Sequence, residues 1–231
     1  MARRFIVIEG LIGVGKTSLA RVLESEWEAR LVLEPAATNP FLESFYRDPD
    51  KYGLPVQVFY LLERWRQQEV IAQQDLFNEL VVSDYLFIKD RLFAEKTLGE
   101  QDLGTYGRLS DALGVHVPRP DLVIFLDAPI ETIMQRINKR AMPGEDLIER
   151  AYLEDLHERY MKLLASWTAC PVLHLDNSDL DYVDNPLAKQ KVLAQIEAVM
   201  DKSDHALDTP GSSLDREVQP SLFGSGESLG S

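Results

Sequence analysis

The sequence predicts an α/β fold in which a parallel five-stranded sheet is flanked by helices. Short β-rich runs alternate along the chain with longer helical patterns, and each β-rich run is a continuous apolar stretch. Continuous apolar runs indicate strands that are covered on both faces. Because the segments between the runs are long enough for helical crossovers, the strands are expected to be parallel.

Five apolar runs are the candidate strands. Each run ends at or beside a Gly, Pro, Asp or Asn, which are typical turn residues. Ligands of a parallel sheet bind beyond the carboxyl ends of its strands, so functional side chains are expected just after each run. In chain order the runs are FIVIEG, RLVLEP, ELVVSDY, DLVIFLDAP and PVLHLDN.

Helical patterns fill the segments between the strands. The longest covers residues 55–74 and contains no Gly or Pro after its first residue, and a second covers residues 145–167. The last pattern fades near Met200, and the chain beyond it is rich in Gly, Ser, Pro and acidic residues. Such a segment buries too little apolar surface to fold by itself. We therefore predict a folded domain over residues 1–200 and a disordered tail over residues 201–231.

Composition excludes several classes of protein. A chain of 231 residues with 45% hydrophobic residues can bury one substantial core. Its formal net charge of -14 disfavours extended binding to nucleic acid or to anionic lipid. The lone Cys170 excludes an internal disulfide and a cysteine-rich zinc site. No signal-peptide pattern and no apolar run near the ~20 residues of a membrane span are found, so a cytoplasmic protein is expected.

A phosphate-binding loop follows the first strand. Residues 10–17 read Gly-Leu-Ile-Gly-Val-Gly-Lys-Thr, which satisfies the pattern G-x-x-x-x-G-K-[ST] between a strand and a helical pattern. Glycines let backbone amides point at phosphate oxygens, the lysine adds a mobile cation, and the threonine hydroxyl can bind Mg²⁺. The sequence thus predicts a site for ATP and Mg²⁺. The expected nucleotide-binding residues are Gly10, Gly13, Val14, Gly15, Lys16, Thr17 and Ser18.

Two other segments bear on the kind of nucleotide-binding protein. Residues 138–141 read Asn-Lys-Arg-Ala and resemble the guanine-reading motif of GTPases, but Ala141 cannot supply the carboxylate that pairs with guanine. Asp127 closes an apolar strand as a Walker B acid does. Because Ala-Pro-Ile-Glu follows it, we interpret Asp127 as a cap of the next helix instead. A GTPase is therefore disfavoured.

Further motifs follow the loop in a characteristic order. They are a Glu-Pro pair at the end of the second strand, a tyrosine and a glutamine on either side of a helix start, acidic residues with a Phe-Ala pair after the third strand, and an arginine-rich helix end. The residues are Glu34, Pro35, Tyr46, Gln57, Asp84, Asp90, Phe93, Ala94, Arg136, Arg140 and Glu145. Over residues 4–200 the chain thereby resembles the deoxyribonucleoside kinase family, which is related to the thymidylate kinases.

The resemblance implies a three-layer P-loop kinase fold with a helical lid. The implied reaction is transfer of phosphate from ATP to the 5′-hydroxyl of a deoxynucleoside, with Glu34 as the general base. Asp84 would hold Mg²⁺ together with Thr17. The cations implied at the phosphoryl oxygens are Lys16, Arg136 and Arg140.

The resemblance also implies a substrate pocket. Tyr46 would bind the sugar, Glu145 its 3′-hydroxyl, and Gln57, Arg64, Asp90 and Phe93 would surround the base. An aspartate beside an arginine stays ionised and can accept a hydrogen bond from an exocyclic amine. Thymine lacks that amine. We therefore expect deoxyadenosine, deoxyguanosine or deoxycytidine to be preferred over thymidine, with deoxyadenosine favoured.

Two departures from the family pattern leave alternatives open. Tyr85 occupies the position of a family arginine, and Met142 replaces a second arginine in the lid. These changes support a nucleotide-binding partner protein that has lost catalysis. A thymidylate-type kinase of nucleoside monophosphates is another alternative, but it would need extra cations near the acceptor, and Glu34 and Tyr46 argue against it.

Two kinds of protein partner are also predicted. The family resemblance implies a homodimer. In the tail, the segment QPSLF resembles the short Gln-x-x-Leu-Phe peptides that dock on bacterial sliding clamps, although a chance match in a solvated tail remains an alternative. The residues concerned are Gln219, Leu222 and Phe223.

Overall fold

One parallel five-stranded sheet forms the centre of the protein. The structure is a computed structural model that describes residues 4–34, 39–73, 80–87, 89–113, 118–142, 145–178 and 181–207. The strands are β1 (Arg4–Gly10), β2 (Arg30–Val32), β3 (Leu80–Ser83), β4 (Leu122–Asp127) and β5 (Val172–Asp176). They lie in the order β2-β3-β1-β4-β5, and all neighbours run parallel. The predicted strands and their parallel arrangement are confirmed.

Helices connect and cover the strands. A 3₁₀ turn also forms at Glu145–Leu147. Among the described residues the α-helices are α1 (Lys16–Trp27), α2 (Leu42–Arg47), α3 (Pro49–Gln73), α4 (Lys89–Thr97), α5 (Glu100–Ala112), α6 (Ile130–Arg140), α7 (Arg150–Ala165) and α8 (Pro186–Leu207).

Alternating side chains of β1 enter two different core clusters. Ile6 and Ile8 join a cluster that includes Leu19 of α1, whereas Phe5 and Val7 join a second cluster that the end of α7 covers. Successive side chains of a strand point to opposite faces, so both faces of the sheet are buried. A third cluster forms where α3, α4 and α5 pack together. The expected three-layer arrangement follows from this double coverage.

Three helix boundaries differ from the sequence prediction. Helix α3 begins at Pro49, well before the predicted start at residue 55, because a proline suits the first helical position. Pro55 removes one backbone hydrogen bond inside this helix, but packing against α2, α4 and α5 outweighs that loss. Helix α7 begins at Arg150, since the residues before it form the 3₁₀ turn. Helix α8 continues past Met200 to Leu207.

The interpretation of Asp127 as a helix cap is wrong. Helix α6 has Pro129 at its N-cap position and no side-chain hydrogen bond there. The Asp127 carboxylate instead accepts the N–H of Ala128 at 2.9 Å and lies 3.2 Å from Nε2 of His157 in α7. The side chain therefore joins β4 to α7.

Some sequence predictions fall outside the part of the chain that the structure describes. Pro35 and the clamp-like residues Gln219, Leu222 and Phe223 are among them. Because most of the predicted tail also lies outside the described residues, the division of the chain into a domain and a tail stays a prediction. Within the described ranges, no helix combines the length and the apolar character that crossing a membrane requires.

Candidate active site

The carboxyl ends of four strands bring distant parts of the sequence to one edge of the sheet. Gly10 ends β1, Glu34 follows β2, Asp84 follows β3 and Asn177 follows β5. Parallel strands place these ends on the same side, where open α/β sheets bind their ligands.

The loop between β1 and α1 has backbone conformations that favour glycine. Gly10, Gly13 and Gly15 have φ angles of 145°, 81° and 111°. A Cβ atom at Gly10 would lie 2.4 Å from the carbonyl oxygen of Leu126 in β4. Helix α1 begins at Lys16 directly after this loop. The predicted strand, loop and helix N-terminus are therefore in place, and this arrangement favours phosphate binding.

Lys16 folds back over the loop. Its Nζ donates to the carbonyl oxygens of Gly10 and Leu11 at 2.8 and 3.0 Å. Burial, followed by repulsion from Lys89, lowers the pKa of Lys16 from 10.5 to about 8. The side chain therefore remains predominantly cationic at neutral pH.

Asp84 links the phosphate-binding loop to the segment after β2. Its Oδ2 accepts a hydrogen bond of 2.5 Å from the hydroxyl of Thr17, and its Oδ1 accepts the backbone N–H of Glu34 at 2.7 Å. Two adjacent oxygen ligands suit Mg²⁺, which takes its remaining ligands from phosphates and water. Among the described residues, no group of three or more His, Cys, Asp and Glu side chains could hold a metal.

The carboxylate of Glu34 lies between two buried cations. Nζ of Lys89 donates to Oε2 of Glu34 at 3.0 Å, and the Arg64 guanidinium donates to Oε1. Burial tends to raise the pKa of Glu34, but Lys89, Arg64 and then Lys16 hold it well below its usual range. Glu34 is therefore ionised at neutral pH.

A cavity of about 150 Å³, the acceptor cavity, opens beside Glu34. Gln57 and Arg64 lie two turns apart in α3 and both line it, each 3% exposed. The predicted residue Asp90 is not part of the wall, but it is 2% exposed and forms an ion pair with Arg64. The other predicted substrate residues in the wall are Tyr46, Phe93 and Glu145.

A second cavity of about 330 Å³, the donor cavity, also lies against the phosphate-binding loop. Residues 13–18 line it, together with Arg136 and Arg140 of α6. Arg136 donates to the carbonyl oxygens of Val14 at 3.2 Å and Asn177 at 2.8 Å. It thereby ties α6 to the loop and to the end of β5.

Arg140 belongs to the walls of both cavities. It forms an ion pair with Glu145, including an Nε to Oε2 hydrogen bond of 3.1 Å. Met142 lies in the acceptor wall nearby, so this corner is less cationic than the family pattern implies. The residues shared by the two cavities are Gly13, Lys16, Thr17 and Arg140.

Sequence reasoning missed two groups beside the loop. Glu9 is 0% exposed, and its carboxylate accepts the N–H groups of Gly10 and Leu86 at 2.9 and 2.7 Å and the hydroxyl of Tyr160 at 3.0 Å. A charged residue within the apolar run of β1 was a signal for such a buried role, because an unpaired carboxylate is expensive to bury. Lys89 was also missed, since nothing local reveals that it reaches Glu34.

Two residues that follow β5 in the chain make further contacts that were not predicted. Nδ2 of Asn177 donates to the carbonyl oxygen of Val14 at 2.5 Å, and the hydroxyl of Tyr182 lies 3.3 Å from the carbonyl oxygen of Gly15. Both residues line the donor cavity. They brace the phosphate-binding loop from the side opposite Asp84.

Two cavities that meet at one phosphate-binding loop, with an ionised carboxylate in one of them, define a P-loop phosphotransferase. A family model described as deoxynucleoside kinase matches residues 6–201. The chain belongs to the deoxynucleoside kinase family. It is a kinase that phosphorylates a nucleoside to its monophosphate.

Individual relatives agree with this assignment. The chain is 30% identical over 200 residues to the deoxyadenosine/deoxycytidine kinase of Bacillus subtilis (strain 168), covering 84% of this chain and 92% of that protein. It is 31% identical over 201 residues to the deoxyguanosine kinase of the same organism, covering 85% and 97%. The structure of deoxyadenosine kinase from M. mycoides with bound dATP superposes with a TM-score of 0.69 at 22% identity, covering 84% of this chain and 100% of that one. The predicted P-loop kinase fold is confirmed.

Proposed function

We propose that the chain transfers the γ-phosphoryl group of ATP to the 5′-hydroxyl of a deoxynucleoside, with Glu34 as the general base. One observation carries the proposal: Glu34 lines the acceptor cavity, which shares Lys16 and Thr17 with the donor cavity. A hydroxyl beside Glu34 would therefore lie near phosphates on the loop, as transfer requires.

The transfer step assigns roles to the surrounding charges. Glu34 accepts the hydroxyl proton while the oxygen bonds to the γ-phosphorus and the bond to the ADP oxygen breaks. Lys16, Arg136 and Arg140 offset the charge of the transferring group. Arg140 is paired with Glu145 and also lines both cavities, which supports a role at the junction.

Thr17 and Asp84 are the proposed holders of Mg²⁺. The support is their donor set, a hydroxyl and a carboxylate oxygen in direct contact beside the phosphate-binding loop. Bound there, the ion would neutralise charge on the nucleotide phosphates.

The base is proposed to be one that bears an amino group. Arg64 and Gln57 line the acceptor cavity, and Asp90 holds Arg64 from outside the wall. The pocket thus offers buried donors and acceptors that an unmatched base would leave unpaired. Relatives named for deoxyadenosine, deoxycytidine and deoxyguanosine also favour such bases, and deoxyadenosine is our first choice. Tyr46, Phe93 and Glu145 are proposed to contact the sugar and base from the remaining wall.

Two protein partners are also proposed. A homodimer is proposed from family membership, and clamp docking rests on the tail peptide alone. A cytoplasmic location likewise rests on the sequence.

One assay separates the candidate functions. The purified protein is incubated with ATP and Mg²⁺ against each deoxynucleoside and each deoxynucleoside monophosphate, and ADP release is measured. We expect turnover with deoxyadenosine, deoxyguanosine or deoxycytidine and little with thymidine. Turnover of monophosphates alone would favour a thymidylate-type kinase, and no turnover in any well would favour a binding protein without catalysis.

A further inference from the structure

Lys89 occupies a position that stability alone disfavours. It is the first residue of α4 and is 3% exposed. A cation at a helix N-terminus is opposed by the helix dipole. Removing an ammonium group from water is also unfavourable unless a partner compensates.

The partner of Lys89 is the proposed base. Its Nζ donates to Oε2 of Glu34 at 3.0 Å, while Arg64 engages Oε1. Each carboxylate oxygen therefore has its own cation, and the carboxylate cannot turn without breaking one of the two contacts. Lys89 also belongs to the wall of the acceptor cavity.

The two cations differ in what else they contact. Arg64 also pairs with Asp90, and in the proposed function it contacts the nucleobase. Arg64 therefore divides its donors between Glu34, Asp90 and, in the proposed function, the nucleobase. Lys89 forms its ion pair with Glu34, and the proposed function gives it no contact with the nucleobase.

The ring of Tyr85 lies beside both cations. Tyr85 stands where the family pattern has an arginine, and it is 1% exposed. Its hydroxyl donates to Oε1 of Gln67 at 2.7 Å, and its ring centre lies 5.3 Å from the Arg64 guanidinium and 5.9 Å from Nζ of Lys89. The ring supports both cations but supplies no charge of its own.

We infer that Lys89 is the positioning residue of the general base: it holds Oε2 of Glu34 toward the acceptor hydroxyl and supplies the positive charge that Tyr85 lacks. This inference rests on the proposed role of Glu34. An ion pair that served stability alone would affect unfolding rather than turnover.

The test compares Lys89→Met and Lys89→Arg with Arg91→Gln. Arg91 lies in the same helix, is 47% exposed and pairs with Glu95, so its variant removes one positive charge away from the cavities. We expect Lys89→Met to lower kcat by ~10²-fold, the scale of a misplaced catalytic group, with little change in KM for the deoxynucleoside. Lys89→Arg should recover about 10-fold of the loss, and Arg91→Gln should match the wild type.

A double variant separates positioning from an independent effect. If Lys89 acts through Glu34, Glu34→Gln with Lys89→Met should be no slower than Glu34→Gln alone. Fully additive losses would overturn the inference. So would wild-type kcat in Lys89→Met while Glu34→Gln is impaired, and that result would leave the proposed function intact. Wild-type turnover in Glu34→Gln would instead remove the proposed base and the inference with it.

Folding of the variants is checked by thermal unfolding. Lys89→Gln keeps the approximate length and a hydrogen-bond donor, so it replaces Lys89→Met if that variant does not fold. Loss of folding in both neutral variants would assign Lys89 to stability alone and overturn the inference.

Discussion

The backbone N–H of Glu34 donates a hydrogen bond of 2.7 Å to Oδ1 of Asp84. This hydrogen bond fixes the position of Glu34, the proposed base, relative to Asp84, the proposed metal ligand, although the two residues follow different strands. Because the donor is a backbone group, a change of the Glu34 side chain leaves this connection in place.

Glu34→Gln is therefore expected to retain this backbone connection and to lose turnover. An amide cannot accept the hydroxyl proton, and a positioned general base contributes ~10²–10⁴ in rate, so kcat should fall by that factor. Steady-state kinetics with ATP and deoxyadenosine measure the loss. Glu43→Gln, an exposed carboxylate paired with Arg47, is the control and should remain active. Unchanged turnover in Glu34→Gln would exclude Glu34 as the base.

Replacing Arg64 and Asp90 together by leucine should relax the choice of base. Removing both partners avoids leaving one buried charge unpaired. We expect the ratio of thymidine to deoxyadenosine kcat/KM to rise, because discrimination by buried hydrogen bonds reaches ~10⁴-fold. Arg91→Gln with Glu95→Gln removes an exposed ion pair and should leave the ratio unchanged. A wild-type enzyme that prefers thymidine would contradict this account of the pocket.

Gly10→Ala should disrupt the phosphate-binding loop. Its Cβ would lie 2.4 Å from the carbonyl oxygen of Leu126, and its φ of 145° is unfavourable for alanine. We expect a loss of about 2–4 kcal/mol in the free energy of unfolding, measured by denaturant titration. Gly107 lies in α5, and a methyl group added there would meet nothing within 4 Å. Gly107→Ala should therefore leave the free energy of unfolding unchanged or raise it by about 0.5–1 kcal/mol. Equal losses of stability in Gly10→Ala and Gly107→Ala would contradict the described geometry of the loop.

Buried tyrosines should make the fold sensitive to alkali. Burial raises the pKa of Tyr106 from 10.0 to about 12 and that of Tyr182 also to about 12. Because these pKa values are higher in the folded state, the unfolded chain loses its tyrosine protons first as the pH rises. The contribution of the two neutral tyrosines to the free energy of unfolding is therefore complete below pH 10 and is lost as the pH rises through 12. Denaturant titrations across this window should show a falling free energy of unfolding. Tyr106→Phe removes one titrating group, so its decline should be smaller; an identical decline would contradict the assignment.

The strands and the loop were predictable because their signals are local. Continuous apolar runs require burial on both faces, and the glycine, lysine and threonine pattern at residues 10–17 needs a strand before it and a helix after it. Glu34 and Asp84 were predicted from the motifs that resemble the deoxyribonucleoside kinase family, and both lie just beyond the carboxyl end of a strand.

Other features depend on contacts between distant residues and were not predictable. The pairing of Lys89 with Glu34 joins α4 to the segment after β2, and no local pattern reveals it. Asp127 has the spacing of a helix cap, but the position of His157 in α7 decides its partner. The early start of α3 likewise depends on packing against its neighbours, which outweighs the usual effect of Pro55.

The most direct test of the central claim is the identity of the product formed from ATP, Mg²⁺ and deoxyadenosine. Phosphorus NMR should show ADP and deoxyadenosine 5′-monophosphate in equal amounts, because each transfer breaks one bond to ADP and forms one bond to the 5′-oxygen. The analogue 2′,5′-dideoxyadenosine lacks the acceptor hydroxyl and should yield no nucleoside phosphate. ATP hydrolysis without deoxyadenosine 5′-monophosphate, or phosphorylation of the analogue at its 3′-hydroxyl, would contradict the account.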